Sequence, residues 1–174
     1  MNNAPQQVIT AEHASLLIKD GLPLLNFNVK GVIEFPESGY GNELTIINCT
    51  IEGLQAEGAE FEKPVNFKNT TFNQCKFNFA YFLHGLSITD CIFENTLSFA
   101  IGGHNQIGYP VNIENNIFFE FVDFWDCWYQ GEVNIIRNHF SKGTNIESKL
   151  DLITFDIAPV IQNNTGKTDI QAKL

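Results

Sequence analysis

Acidic side chains and a single arginine are the residues of this chain that could cleave a polysaccharide. A lyase needs clustered acids to hold Ca²⁺ with a nearby Arg or Lys as base, and a glycosidase needs two or three carboxylates that converge on one face. Asp90, Glu114 and Arg137 fall near one column of a repeated segment described below, but each belongs to a different copy of it. Asp123 and Asp126 are the one close pair of acids in that region. We therefore expect no enzymatic activity, and a carbohydrate-active lyase or glycosidase remains an alternative.

Histidine and cysteine show no metal-binding spacing. His84, His104 and His139 lie 20 and 35 residues apart, which does not resemble the ligand spacing of a zinc site. The chain also has four scattered cysteines without a CxxC pair, namely Cys49, Cys75, Cys91 and Cys127. Such cysteines behave as small hydrophobic residues, so we expect buried reduced thiols, no metal and no cofactor.

The N-terminal residues, the hydropathy and the charge bear on compartment and partners. Residues 1–7 lack the basic and apolar regions of a secretory signal, and no apolar run approaches the ~18 residues of a membrane helix. Together with reduced thiols, this predicts a cytoplasmic protein that does not enter a membrane. The net charge of −10, from 20 acidic and 10 basic residues, argues against direct nucleic-acid binding, which needs a basic surface.

The dense aromatic segment at residues 118–129 is the predicted contact surface. Strand alternation cannot bury every ring there, so some rings should face outward beside carboxylates. Exposed aromatic rings flanked by acids suit a protein partner or a sugar. The alternative is an aromatic stack that fills a wide coil. The predicted partner-binding residues are Phe119, Glu120, Asp123, Trp125, Asp126, Trp128 and Tyr129.

An eight-residue phrase recurs seven times along the chain. Successive copies begin 22, 21, 21, 25, 22 and 26 residues apart. Within the phrase, the first and third positions are mostly aliphatic or Phe and the second is usually Asn, Ser or Thr, which is the period-2 alternation of a strand. The copies begin at Leu22, Leu44, Val65, Leu86, Val111, Val133 and Pro159.

The fifth position of the phrase predicts a bend. Six of its seven residues are Asn or Asp, which tolerate the left-handed backbone region and bond their own backbone. Stacked amides at this position could also bond each other as a ladder. The predicted bend ladder is Asn26, Asn48, Asn69, Asp90, Asn115, Arg137 and Asn163.

A period of about 22 residues with strands and bends predicts an all-β fold, a right-handed parallel β-helix of about seven coils. The third and eighth positions should face inward, which places Phe67, Phe72, Phe93, Phe118 and Phe140 in the core and predicts that most of the Phe excess is core. Residues 1–21 should form an N-terminal segment with a capping helix that begins after Thr10 and ends at Gly21. The β-helix should span 22–165, followed by a polar tail at 166–174 that offers no clear cap.

The spacing tightens to five residues in the middle of the chain, at Ile46, Ile51, Ala56 and Phe61 and then at Phe67, Phe72, Phe77 and Phe82. Residues 44–99 resemble the Phe-centred branch of the pentapeptide-repeat family. The resemblance implies a quadrilateral β-helix with about four pentapeptides per coil. Because most coils are longer than 20 residues, a three-sided coil stays open as the alternative. Some members of that family mimic duplex DNA and bind type II topoisomerases.

The distribution of acids completes the functional prediction. Seven acids and no base lie between Gly31 and Glu62, and seven more acids without a base lie from Phe77 to Ile136. Because a solenoid is a scaffold, we predict a non-enzymatic protein that acts through protein–protein interaction. Its partner is a different protein or a second copy bound through the C-terminal coil. An acidic DNA mimic that acts on a type II topoisomerase is an alternative.

Overall fold

A computed structural model describes residues 6–171 as a parallel β-solenoid of about six turns with one short helix near the N-terminus. The predicted β-helical fold class is therefore confirmed. The predicted N-terminal segment 1–21 and tail 166–174 both extend past these limits, and residues 1–5 and 172–174 lie outside the described residues.

The elements are short, as expected for a coil that bends several times per turn. The helix α1 spans Ala11–Lys19. In chain order the strands are β1 (Gln7–Thr10), β2 (Leu24–Leu25), β3 (Phe27–Glu34), β4 (Gly39–Tyr40), β5 (Leu44–Ile47), β6 (Thr50–Gln55), β7 (Glu60–Phe61), β8 (Val65–Lys68), β9 (Thr71–Lys76), β10 (Tyr81–Phe82), β11 (Leu86–Thr89), β12 (Ile92–Phe93), β13 (Leu97–Ser98), β14 (Val111–Glu114), β15 (Ile117–Phe118), β16 (Val122–Asp123), β17 (Trp128–Tyr129), β18 (Val133–Ile136), β19 (His139–Phe140), β20 (Thr154–Phe155) and β21 (Val160–Gln162).

The seven copies of the phrase form the seven strands of one sheet, in the order β2, β5, β8, β11, β14, β18 and β21. The pairing is parallel and in register, so that Val65 lies opposite Leu86 and Phe67 lies opposite Ile88. Seven strands stacked in this way enclose six complete turns, and this is why seven phrases give a solenoid of about six turns.

The second and third turns each carry four inward pairs of residues five residues apart, and one less buried residue separates the two members of a pair. In the fourth turn the third pair, Leu97 and Phe99, lies six residues after the second. We number the pair positions along a turn one to four and use the same numbers for the sides of the solenoid. The strands β6 and β9 each continue from side two into side three, so these two sides belong to one sheet, and four inward pairs do not make four separate sheets. In the third turn the buried pairs are Val65 and Phe67, Thr70 and Phe72, Cys75 and Phe77, and Ala80 and Phe82.

Stacked phenylalanine rings fill the interior. Ten of the 16 Phe side chains are buried, which confirms that most of them belong to the core. Burying each such ring contributes about 1.5–3 kcal/mol. Side two holds a continuous column with ring centroids 5.0–5.1 Å apart, formed by Phe72, Phe93, Phe118 and Phe140. Side three holds a second column, formed by Phe77, Phe99 and Phe124.

The first corner of each turn lies between sides one and two, at the fifth position of the phrase. All seven predicted bend residues adopt the left-handed region, with φ between +48° and +61°. The bend prediction is therefore confirmed at every copy, including Arg137. The side-chain ladder is partial: Asn69 donates to Asn48 Oδ1 at 2.7 Å, and Arg137 Nε donates to Asn115 Oδ1 at 2.8 Å.

A second polar column runs inside the tube, at the sixth position of the phrase, and the sequence analysis missed it. Asn138 shows its pattern. Its Oδ1 accepts from the backbone N–H of Asn116 at 3.0 Å, and its Nδ2 donates to the carbonyl of Ile113 at 2.8 Å. One turn later the amide of Asn164 makes the same two bonds, to the N–H of Asn138 and the carbonyl of Ile135, both at 2.8 Å. The column satisfies buried backbone groups beside the corner that strand pairing leaves without partners.

The helix α1 covers the first turn, as predicted. Its N-cap Thr10 accepts from the N–H of His13 at 3.2 Å, and the chain leaves the helix at Gly21, where φ is +73°. Ala14 and Ile18 are buried and join the core cluster. The strand β1 was not predicted. It pairs in parallel with β3 and extends the sheet of side two by one strand beyond the first turn.

The C-terminal end is built differently. The strand β21 is the last strand of its sheet among the described residues, and Val160 on it is 41% exposed. Residues 165–170 then run alongside the sixth turn and pair with it through backbone hydrogen bonds. The N–H of Thr144 donates to the carbonyl of Lys167 at 2.8 Å, and the N–H of Ile170 donates to the carbonyl of Thr144 at 3.0 Å. Within residues 6–171, no helix covers this end.

The interior polar column gives a prediction about stability. We expect Asn138→Leu to lower the free energy of unfolding by about 2–3 kcal/mol, because it leaves buried N–H and C=O groups without partners. Asn134→Leu is the control on the same strand region, since Asn134 faces outward and bonds Asn112 at 2.8 Å. The control should cost under about 1 kcal/mol. Equal losses in urea unfolding would contradict a special role for the column.

Candidate functional site

Side four presents an aromatic surface made of Tyr81, His104 and Trp128, which we call the side-four surface. Gly103 forms a parallel bridge to Tyr81 on one side and to Trp128 on the other, so the three consecutive turns hold these side chains together. The ring of His104 lies 4.1 Å from that of Tyr81 and 5.5 Å from that of Trp128, centroid to centroid. Trp128 is 42% exposed.

Polar contacts fix this surface at its edges. The indole Nε1 of Trp128 donates to Asp156 Oδ1 at 2.9 Å. Burial lowers the pKa of His104 from its ordinary value of 6.5, because the charged imidazolium loses solvation there. Burial therefore favours the uncharged imidazole, which packs between the rings of Tyr81 and Trp128.

A second corner lies between sides three and four, and its residues also adopt the left-handed region. They stack one above the next through backbone bonds: the N–H of Phe79 donates to the carbonyl of Ala100, and the N–H of Ile101 donates to that of Trp125, both at 2.8 Å. We call this set the second corner. Its members have φ between +52° and +70° and are Gly58, Phe79, Ile101, Asp126 and Leu152.

Three of the five residues at the second corner, Phe79, Ile101 and Leu152, are of types that are unusual for this backbone. Gly, Asn and Asp adopt the left-handed region readily, whereas other residues pay about 1–2 kcal/mol because Cβ approaches the following carbonyl oxygen. Phe79 is 52% exposed and Leu152 is 64% exposed. Their side chains therefore recover little of this cost by burial in the free protein.

The seven predicted partner-binding residues are distributed around the fifth turn rather than gathered on one surface. Phe119 is 43% exposed and lies with Glu120 between sides two and three. Trp125 and Asp126 lie at the second corner, and Asp126 is exposed. Trp128 belongs to the side-four surface.

Two of the seven are placed by structural contacts. Tyr129 was expected among the outward rings, but it is buried with 2% exposure, because strand alternation turns it inward where Trp128 turns outward. Its ring stacks on Phe155 with a centroid distance of 5.5 Å. Asp123 Oδ1 accepts from the N–H of Trp125 at 2.9 Å and from Asn145 Nδ2 at 2.8 Å, so it holds the local backbone.

The sequence carried a signal for the residues that were missed. On side one, each bend residue follows the inward third residue by two positions, as Asn69 follows Phe67. Phe79 follows the inward Phe77 in the same way, and Ile101 follows Phe99. Applying the same offset on side three would have identified the second corner.

The side chains that the sequence offered for catalysis or metal binding do not form a shared site among the described residues. Arg137 Nη2 is 3.0 Å from Glu114 Oε2, and this ion pair is partly exposed. Among the described residues, no group of three or more His, Cys, Asp or Glu side chains is arranged to hold a metal ion. No helix within residues 6–171 combines the length and the apolar composition needed to cross a membrane.

The four cysteines are free and buried, as predicted. Burial raises the pKa of Cys91 to about 12 and that of Cys127 to about 12, and it raises the pKa of Cys75 well above its ordinary value. These thiols are therefore protonated at neutral pH and are not poised as nucleophiles.

No protein-family model, curated protein or solved structure matches this chain. The candidate site therefore rests on the geometry of the chain itself: the side-four surface and the second corner, which adjoin each other on turns three to six.

The burial of the four thiols gives a prediction about their reactivity and about stability at high pH. We expect no cysteine to react with a thiol-specific chromogenic reagent at pH 8 in the native protein, and all four to react in strong denaturant. Since the folded pKa values of Cys91 and Cys127 lie above the ordinary value of 9.0, stability should be full below pH 9 and fall between pH 9 and about 12. Rapid labelling of the native protein at pH 8 would contradict this burial.

Proposed function

We propose that this protein is a non-enzymatic β-solenoid scaffold, similar to pentapeptide-repeat proteins, that acts through protein–protein contact. The resemblance draws support from the four inward pairs at five-residue spacing in the second and third turns. The absence of catalytic activity draws support from what the reactive groups do: His104 packs between rings, Asp123 holds backbone, Arg137 pairs with Glu114, and Cys91 is buried.

The observation that carries protein contact is the asymmetry between the two ends. The helix α1 covers the first turn, whereas β21 at the other end keeps one edge without a neighbouring strand among residues 6–171. Such an edge presents backbone N–H and C=O groups to any strand that can pair with it. At the opposite end β1 and β2 are also edge strands, but α1 packs beside them, so we expect contact between copies to join two C-terminal ends and close as a two-fold dimer.

Sedimentation equilibrium tests the contact between copies. At moderate salt we expect the average mass to rise with concentration toward that of a dimer. Val160→Asp should abolish this rise, because it places a charge on the open edge strand. Val8→Asp is the matched control, since Val8 is 63% exposed on β1 at the covered end, and it should associate like the unmodified chain.

A monomer at every concentration up to the millimolar range would refute association through the C-terminal coil. Equal behaviour of the Val160 and Val8 variants would refute its location. Neither result bears on a different protein bound elsewhere on the solenoid.

A second candidate is mimicry of DNA. It is favoured by the exposure of the acids between Gly31 and Glu62, where Glu34, Glu37, Glu43 and Glu57 are exposed and no Lys or Arg intervenes. Exposed carboxylates present negative charge as phosphates do, although these four lie on the first two turns only and net −10 is about half of the charge of B-DNA of similar length.

A supercoiling assay tests this candidate. Micromolar protein should inhibit a type II topoisomerase, and replacing Glu34, Glu37 and Glu57 by Gln should raise the inhibitory concentration several-fold because charge is lost without a change in shape. Leu16→Gln, a neutral change on α1, should leave inhibition unchanged. No inhibition across the titration would exclude the mimic.

A further inference from the structure

The first and second corners of this solenoid both require a left-handed backbone, but different residue types occupy them. At the first corner, six of the seven left-handed residues are Asn or Asp, which accept this conformation at low cost. At the second corner, the chain places Phe79, Ile101 and Leu152 in the same conformation. Ile101 is β-branched, and a β-branched residue with positive φ is a clear outlier.

The free protein gains little from these side chains. Phe79 and Leu152 are more than half exposed, so most of their apolar surface is not buried in the core. Asn at either position would relieve the backbone and would suit solvent better. Strained residues of this kind occur where the surrounding structure holds them for a function, and here they form an apolar ridge that the exposed Asp126 interrupts between Ile101 and Leu152.

The spacing along the ridge suits one secondary structure. Successive turns of a solenoid are about 4.8 Å apart, so Phe79 and Leu152, three turns apart, are separated by about 14 Å. An α-helix rises 5.4 Å per turn, and its i, i+3, i+4 and i+7 side chains repeat at that interval along one face. Over three steps the two repeats differ by about 2 Å, which flexible apolar side chains can accommodate.

The charge around the ridge sets the chemistry of the occupant. Asp126 lies exposed within the second corner, Glu57 precedes Gly58 there, and Asp156 holds the indole of Trp128 on the adjoining side. From residue 77 to residue 136 the sequence contains no Lys or Arg, and at the far end of the ridge Lys149 lies three residues before Leu152. An acidic surface brought against this corner would be repelled, and a helix with Lys or Arg beside its apolar face would be attracted.

We propose that the second corner is a docking ridge for a basic amphipathic α-helix of another protein. Phe79, Ile101 and Leu152 contact the apolar face of the helix, and Asp126 with its neighbouring carboxylates pairs with flanking Lys or Arg side chains. This inference rests on the proposed scaffold function and specifies the partner surface.

The two tryptophans of the chain, Trp125 and Trp128, lie at this corner and beside it, so their fluorescence reports on its occupation. The probe is an 18-residue Leu/Lys helical peptide without aromatic residues, and a Leu/Glu peptide of the same pattern is the reference. We expect a saturable change in tryptophan emission with the Leu/Lys peptide and none with the Leu/Glu peptide.

The decisive variant is Phe79→Asn with Leu152→Asn. It leaves the net charge unchanged, so it should weaken binding about tenfold or more only if the apolar ridge is the contact. Because Asn suits the left-handed region, the urea midpoint should stay the same or rise. Leu16→Gln, which removes an apolar side chain that is 57% exposed on α1, should leave the affinity unchanged.

Three results would overturn the proposal. The first is the absence of Leu/Lys binding, the second is equal affinity of the double variant, and the third is a lower urea midpoint of that variant, which would assign the side chains to the fold. Association between copies, measured on the same samples by sedimentation, depends on Val160 at another surface. Loss of the ridge contact and failure of the scaffold function are therefore distinguishable.

Discussion

This solenoid depends on one backbone constraint: a residue in the left-handed region stands two positions after an inward side chain and turns the chain at each corner. It turns the chain sharply while keeping the turn length nearly constant, so that inward residues of one turn fall over those of the next. The parallel register of the seven-stranded sheet and the continuous column from Phe72 to Phe140 both follow from it. When a turn gains residues, as between Gly103 and Pro110, the register recovers at the next phrase, where Val111 pairs with Leu86.

A tube built this way must also satisfy polar backbone beside each corner, where strand pairing is interrupted. The interior asparagines do this in the later turns, and Thr70 and Cys49 occupy the same column earlier, where hydroxyl and thiol groups make weaker contacts. The core is therefore apolar on its sides and polar along one internal edge. Its two ends differ as well, because a helix packs against the first turn and no helix covers the last one within residues 6–171.

The outer surface divides according to the same corners. The first corner carries side chains that suit its backbone, and it serves the fold. At three of its five positions the second corner carries apolar side chains that do not suit its backbone, and it adjoins the aromatic surface of Tyr81, His104 and Trp128. Strain and exposed apolar area thus coincide on turns three to six, which is where we place contact with another protein.

The sequence by itself determined the repeat, the inward columns, the seven bends and the capping helix, because each depends on local periodicity and on residues such as Asn26 or Thr10 that favour one conformation. It did not determine that Asn138 faces inward to bond Asn116 and Ile113, that Tyr129 is buried, or that Phe79 shares a corner with Leu152. Those facts depend on which residues of distant turns lie opposite each other. Only the tertiary structure decides this, because insertions shift the sequence spacing while backbone pairing between turns restores the register.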